Sequence, residues 1–187
     1  MTRLEAANKA LILLGVATIS SLNQDIQAAR VMNELFPSVE RAVLLEYPWP
    51  FSQLATALNP IPNALPPLGW RYAFNYPTEA IALHKVYARD LDKVNYVVQR
   101  DIIYTNESGV YAEYTVVTDF EQWPGLVAEA FTARLASDAS SALVGSKQAA
   151  SVLLQKYGIL LSMARSNALN EENVPHRRAA RYLDVRR

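Results

Sequence analysis

The chain has no cysteine, and that one absence removes disulfides, thiolate nucleophiles and cysteine-ligated zinc together; it fits assembly in a reducing cytoplasm. Histidine is almost as scarce. His84 and His176 are the only two, and they stand too far apart for a recognisable metal motif. The six glycines, at 15, 69, 109, 125, 145 and 158, are isolated from one another, so no glycine-rich phosphate loop exists and neither a nucleotide nor any other cofactor is expected. An excess of charge of one sign is missing as well. Lys plus Arg and Asp plus Glu are 18 each, which leaves no global field to draw the protein toward nucleic acid, membrane surfaces or acidic substrates.

Long uninterrupted apolar runs are also lacking. The uncharged stretch between Lys9 and Asp25 is broken by Gly15 and a Ser-Ser-Leu-Asn-Gln segment and is too short to cross a bilayer, and Glu5 sits where a signal peptide would be basic. A second uncharged stretch, 47–70, is long enough but carries six prolines, each of which removes a backbone donor. No membrane insertion is expected. What is present is a chain of 187 residues with 51% apolar side chains, enough to bury a real core.

Local signals divide the chain. Thr2 and Glu5 have capping-box spacing, and Leu4, Ala7, Leu11 and Leu14 then follow the helical period as far as Gly15, which predicts a first helix over 2–14. Ile26, Ala29, Met32, Phe36, Val39, Val43 and Leu44 predict a second over 24–46, bent at Pro37. Pro48 and Pro50 force extended backbone around Trp49 and stop it. From Asn59 to Pro67, NPIPNALPP is a stiff extended loop, and a connection of this kind in a compact domain lies across a neighbour or serves binding. The period then shortens to two. Trp70, Tyr72, Phe74 and Tyr76 share one side of the alternation, and 81–86, 96–99, 101–105 and 110–117 are rich in β-branched residues and tyrosine. The Asn-Glu-Ser-Gly turn at 106–109 predicts that the last two pair as a hairpin. Helical spacing returns with Val127, Phe131 and Leu135, ends at Gly145, and resumes after Ser146 through Val152, Leu153, Leu160 and Met163.

The expected fold is therefore α+β and mainly α: an antiparallel four-helix body with one small antiparallel sheet inserted and a basic C-terminal arm. Its parts are 1–47 (helices 1 and 2), 48–69 (proline-rich connecting loop), 70–118 (β insertion), 119–170 (helices 3 and 4) and 171–187 (arm). Trp49, Phe51, Trp70 and Trp123 are expected as structural anchors, with Trp49 plugging the seam where helix gives way to sheet.

Candidate chemistry is thin. Asp90-Leu-Asp92 begins like a calcium loop but lacks the third ligand and the glycine, so it reads as a solvated turn. Glu171-Glu172 reads as a helix end, and Asp119 with Glu121 as partners of a helix N-terminus. His84 lies in an apolar strand, where a half-buried structural histidine is the simpler account than a base for Ser52 or Ser108. Asn106-Glu-Ser108 matches a glycosylation acceptor, but here it is turn chemistry. The central aromatics could stack bases, yet Arg71 is the only cation between Trp49 and Ile81. The arm stands apart. From His176 to Arg187 it holds Arg177, Arg178, Arg181, Arg186 and Arg187 against one acid, Asp184. A solvated tail is the simplest account of it, beside an arm that docks on an acidic groove of a partner or one that touches DNA phosphates; Tyr182 and Leu183 inside the basic run favour docking over a purely electrostatic contact.

Several pieces in order carry a resemblance. They are Ala10 to Gly15 with Ile19 to Leu22; the Tyr47-Pro-Trp-Pro-Phe51 stop; Gly69-Trp-Arg-Tyr-Ala-Phe-Asn-Tyr-Pro77; Asp119 to Pro124 leading into Ala128 to Ala136; and Leu153-Leu-Gln-Lys-Tyr157 continuing to Ala164 and Asn167. Together they cover most of the chain, which resembles the head-to-tail adaptor, or tail tubular protein A, family of short-tailed bacteriophages. The resemblance implies a structural virion protein that catalyses nothing and uses no cofactor or metal. It implies a ring of about twelve copies at the head-tail junction, assembled in the bacterial host cytoplasm, that binds the portal protein and a tail nozzle protein and leaves a channel for passing double-stranded DNA. Under that reading Arg177, Arg178, Arg181, Tyr182, Leu183, Arg186 and Arg187 would grip the portal. The rival readings are a virion-associated cell-wall hydrolase and a nucleic-acid-binding module using the C-terminal arginines.

Overall fold

The computed structural model describes residues 1–90 and 92–171. The arm, with its seven candidate portal-binding residues and Glu172, lies outside the described residues.

Each helix begins and ends where local chemistry allows. Helix α1 (Arg3–Leu13) opens with a reciprocal capping box: Glu5 N–H donates to Thr2 Oγ1 at 3.1 Å, and Thr2 N–H to Glu5 Oε2 at 2.8 Å. It closes at Gly15, whose φ of +69° is a conformation that β-carbon-bearing residues rarely adopt. Helix α2 (Gln27–Leu45) runs through Pro37 without a break. Helix α3 (Gly125–Leu143) ends before Gly145 at φ +66°, and Ser146 Oγ accepts Ala149 N–H at the start of α4 (Lys147–Glu171).

Helix α3 is the centre of the body. It packs against α1, α2 and α4, so alanines, Phe131 and Leu135 are buried around most of its circumference. Phe36 of α2 meets Phe131 at 4.6 Å and Phe120 at 5.2 Å between ring centroids. Arg3 stands 5.0 Å from the centre of the Phe36 ring and donates to both carboxylate oxygens of Glu40, at 3.1 and 3.2 Å. Glu40 is 4% exposed, and that burial pushes its carboxyl above the usual range, with Arg3 pulling the other way.

The architecture corrects the expected fold at two points. First, there are two sheets. Strands β1 (Gln53–Ala57), β6 (Tyr111–Val116) and β3 (Ala80–Tyr87) form one in the order β1-β6-β3; β2 (Tyr72–Asn75), β5 (Ile102–Thr105) and β4 (Tyr96–Gln99) form the other in the order β2-β5-β4. All pairings are antiparallel. Both sheets send side chains into one core, with Val86, Ala112 and Tyr114 from the first and Phe74 and Ile103 from the second. The inserted part is thus a lobe with its own core, and 48–69 is not merely a connection, because it supplies a turn of 3-10 helix (Pro50–Ser52) and all of β1. Second, α4 packs chiefly on α3, so the body is α3 with α1 and α2 against it and α4 as a further layer, not a closed four-helix bundle.

The expected hairpin across Asn106–Gly109 is likewise absent. β5 and β6 belong to different sheets, and the turn carries the chain from one to the other. The tight hairpin is instead β4–β5, with Gln99 opposite Ile102 and Arg100 at φ +55° between them. β5 and β6 are each the central strand of a sheet, so both sides of each are already paired, and the shared core between the sheets selects those partners over the local hairpin. Of the four aromatics 70, 72, 74 and 76, only Phe74 is fully buried, while Tyr72 is 41% exposed.

Candidate interaction surfaces

The junction between body and lobe is built from the helix stop. Trp49 is 1% exposed, and its indole N–H donates to the Val43 carbonyl at 2.9 Å, a second donor to a group that also accepts Glu46 N–H at 3.3 Å in the last turn of α2. Tyr47 and Phe51 flank it at 5.1 and 6.2 Å, and Phe51 continues to Trp123 at 5.6 Å. Ser52 Oγ donates to the Trp49 carbonyl and locks the following turn. Beside this cluster lies a cavity of about 210 Å³ whose walls include Trp49, Phe51, Leu126, Val127, Ala164 and Ala168, with Asn167 at its edge. Among the described residues no charged side chain lines it. The first turn of α3 forms one wall and has no side-chain cap, so the N–H groups of Gly125, Leu126 and Val127 have no acceptor among the described residues.

The proline-rich loop projects the opposite kind of surface. Leu65 and Leu68 are 96% and 103% exposed, more than any other large apolar side chain described. Pro60, Pro62, Pro66 and Pro67 stiffen the segment and remove donors. The loop is tied to the lobe by Ile61 N–H to the Ala73 carbonyl at 2.9 Å, and Trp70 N–H to the Pro67 carbonyl at 3.1 Å closes its far end. No hydrogen bond among the described residues reaches the carbonyls of Leu65 and Pro66.

A third surface is the outer side of α4. Leu153, Tyr157, Leu161, Ala164 and Ala168 face α3, whereas Val152, Ile159 and Met163 are 58%, 64% and 51% exposed on the other side. The sequence pattern enrols Val152 and Met163 with the core residues, and the structure turns both outward. The stripe of Val152, Ile159 and Met163 at helical spacing also holds Gln155, Ser162 and Ser166 and one charge, Lys156, which is four residues after Val152 and three before Ile159.

The remaining candidates are held in local contacts. His84 Nε2 lies 2.6 Å from Thr115 Oγ1, and partial burial keeps its imidazole below the usual range, with Glu113 opposing. Its two suggested nucleophiles are elsewhere engaged: Ser52 is spent on the Trp49 carbonyl and Ser108 is exposed in the turn between the sheets. Asp90 accepts Asp92 N–H at 3.3 Å, the geometry of a turn, and among the described residues no cluster of three acidic or histidine ligands converges to hold a metal ion. Asp119 caps the short Phe120–Gln122 turn through Glu121 N–H. Trp70 is half-buried at the end of the proline loop, and Trp123 is buried with no acceptor for its indole N–H among the described residues. Among the described residues, no helix is long and apolar enough to cross a membrane.

Leu65, Leu68, Ile159 and the uncapped start of α3 are absent from the residues singled out by sequence. A signal existed for the leucines, since Leu65 stands between Pro62 and Pro66 and Leu68 between Pro67 and Gly69, in a stretch that cannot continue as a sheet or helix that would cover them. The chain matches none of the known protein families against which it was compared, and no curated protein is significantly similar to it. Fold and surfaces define it as a two-lobed protein, a helical body carrying a double-sheet lobe, with several separate apolar surfaces.

Proposed function

We propose that the chain is a structural adaptor that assembles into a ring of about twelve copies at the head-tail junction of a short-tailed phage. In this reading it binds the portal protein on one side and a tail nozzle protein on the other, and double-stranded DNA passes through the ring. It catalyses no reaction. The observation that carries the reading is the coexistence of three apolar surfaces on a chain whose net charge is zero: the loop with Leu65 and Leu68, the junction cavity, and the outer stripe of α4. Large apolar side chains left this exposed mark surfaces that meet other proteins. Neutral composition also suits a channel, because a strongly basic lumen would retain phosphates and slow the duplex.

The arm supplies the portal contact in this account, through the arginines from 177 to 187 with Tyr182 and Leu183. The test is coexpression with the portal protein encoded in the same genome, read by native mass spectrometry and negative-stain microscopy. A stacked double ring is the expected result. A chain that stays monomeric beside assembled portal overturns the proposal.

A further inference from the structure

The loop and the cavity are complementary in ways that single out one partner for each. Leu65 and Leu68 are almost completely exposed, so neither fills the cavity of its own chain. The cavity holds about 210 Å³, with no charged wall among the described residues; a protein cavity of ~150 Å³ already accommodates a benzene ring, so a leucine side chain fits. The loop belongs to a stretch, 47–70, that contains no charge at all. Hydrogen-bonding groups match as well. The cavity wall at Gly125, Leu126 and Val127 offers donors without acceptors, and the loop at Leu65 and Pro66 offers carbonyl acceptors without donors.

From this complementarity we infer that the loop of one copy inserts Leu65 or Leu68 into the junction cavity of a second copy. The inference deepens the adaptor reading, since it rests on self-assembly and names the surfaces that meet. Loop and cavity are different patches, so the contact is head-to-tail, the kind that repeats from copy to copy into a ring when the rotation between neighbours closes and into a filament when it does not. Charge decides against the other occupant within reach, the chain beyond Glu171, which follows the α4 turns that line the cavity. Residues 172–187 begin with Glu172 and carry five arginines and one acid from 177 onward, whereas the loop carries no charge, and an apolar cavity favours the uncharged segment because burying an unpaired charge is costly.

The absence of native cysteine makes the test direct. Two full-length variants, Ala64→Cys beside the leucines and Asn167→Cys at the cavity edge, are mixed and treated with a short bis-maleimide, with and without portal protein. Each chain has one thiol, so a 64–167 product joins two copies. That product is expected, and Leu65→Ser/Leu68→Ser in the Ala64→Cys chain should lower its yield by about tenfold or more, since each buried leucine contributes at least that much to association. Both leucines are exposed, so circular dichroism and the melting midpoint of the serine variant should match the parent.

A 64–167 product that survives the serine substitutions overturns the inference. So does finding only 64–64 or 167–167 products, or none under either condition. A product that appears only after deletion of residues 173–187 makes the arm the occupant and also overturns it. The portal samples separate this inference from the adaptor reading. Double rings without the 64–167 product remove the contact and keep the adaptor, whereas crosslinked oligomers that ignore the portal keep the contact and remove the adaptor.

Discussion

Replacing Trp49 with alanine strips the junction of its largest buried side chain. The indole is 1% exposed between Tyr47 and Phe51, so removing it leaves a cavity that the body cannot easily close, because the flanking prolines hold the backbone open. Large-to-small changes of this kind cost about 3–5 kcal/mol. The lost hydrogen bond to Val43 adds little beyond that, since the Val43 carbonyl also accepts Glu46 N–H at 3.3 Å and is not orphaned. Measured against a total stability of about 5–15 kcal/mol, the loss is a large fraction. For a chain of this size it lowers the melting midpoint by roughly 10 °C, at about 2–4 °C per kcal/mol. Urea denaturation monitored by circular dichroism is the assay, with the midpoint falling and the slope unchanged. Trp49→Phe keeps most of the packing and should fall between alanine and the parent. Trp70→Ala, at a half-buried position on the proline loop, is the control and should cost less than about 1 kcal/mol. A Trp49→Ala protein that unfolds at the parent midpoint would refute the reasoning and mark the indole as an interface group.

Two titrations test the buried charges. Glu40 has a folded carboxyl raised by burial, so the stability it contributes is present below its unfolded value of 4.5 and is lost as pH rises through the folded value. The stability difference between the parent and Glu40→Gln should therefore move in the variant's favour as pH climbs from 4.5, and denaturation midpoints that stay parallel across that range would contradict it. Tyr157, buried against α3 and near Glu46, has its phenol pushed up to about 12, burial being the larger cause. One tyrosine should consequently ionise near 12 in a spectrophotometric titration and lose that step in Tyr157→Phe. Because the folded value is the higher one, its contribution to stability persists below 10 and declines as pH rises from 10 to about 12.

Much of the helical body is legible in the sequence because helix ends are local events. Thr2 and Glu5 form their capping box within one turn, Gly15 and Gly145 adopt positive φ, and Ser146 caps α4, all from residues within a few positions. The stop at Pro48 and Pro50 is equally local, and it delivers Trp49 to a carbonyl only six residues back. The strands are legible as strands for the same reason, through their period of two. Their partners are not: β1 joins β6 across some fifty residues, and with Thr56 as its one β-branched residue and no aromatic it carries no strand signal that separates it from the loop in which it lies. The candidate surfaces were partly hidden for the converse reason. Leucines and isoleucines are read as core, and Leu65, Leu68 and Ile159 are outside.

By itself the sequence determined where the chain turns, stops and changes period, and it excluded cysteine chemistry and any dominant field of one sign, since these depend on composition and on neighbours along the chain. The tertiary structure alone decided that the strands divide into two sheets, that β5 and β6 part company, and that one apolar side of α4 is left uncovered. Those outcomes depend on which of several equally apolar surfaces reach one another in space. Hydrophobic burial has no direction of its own, so only the packed whole selects among them.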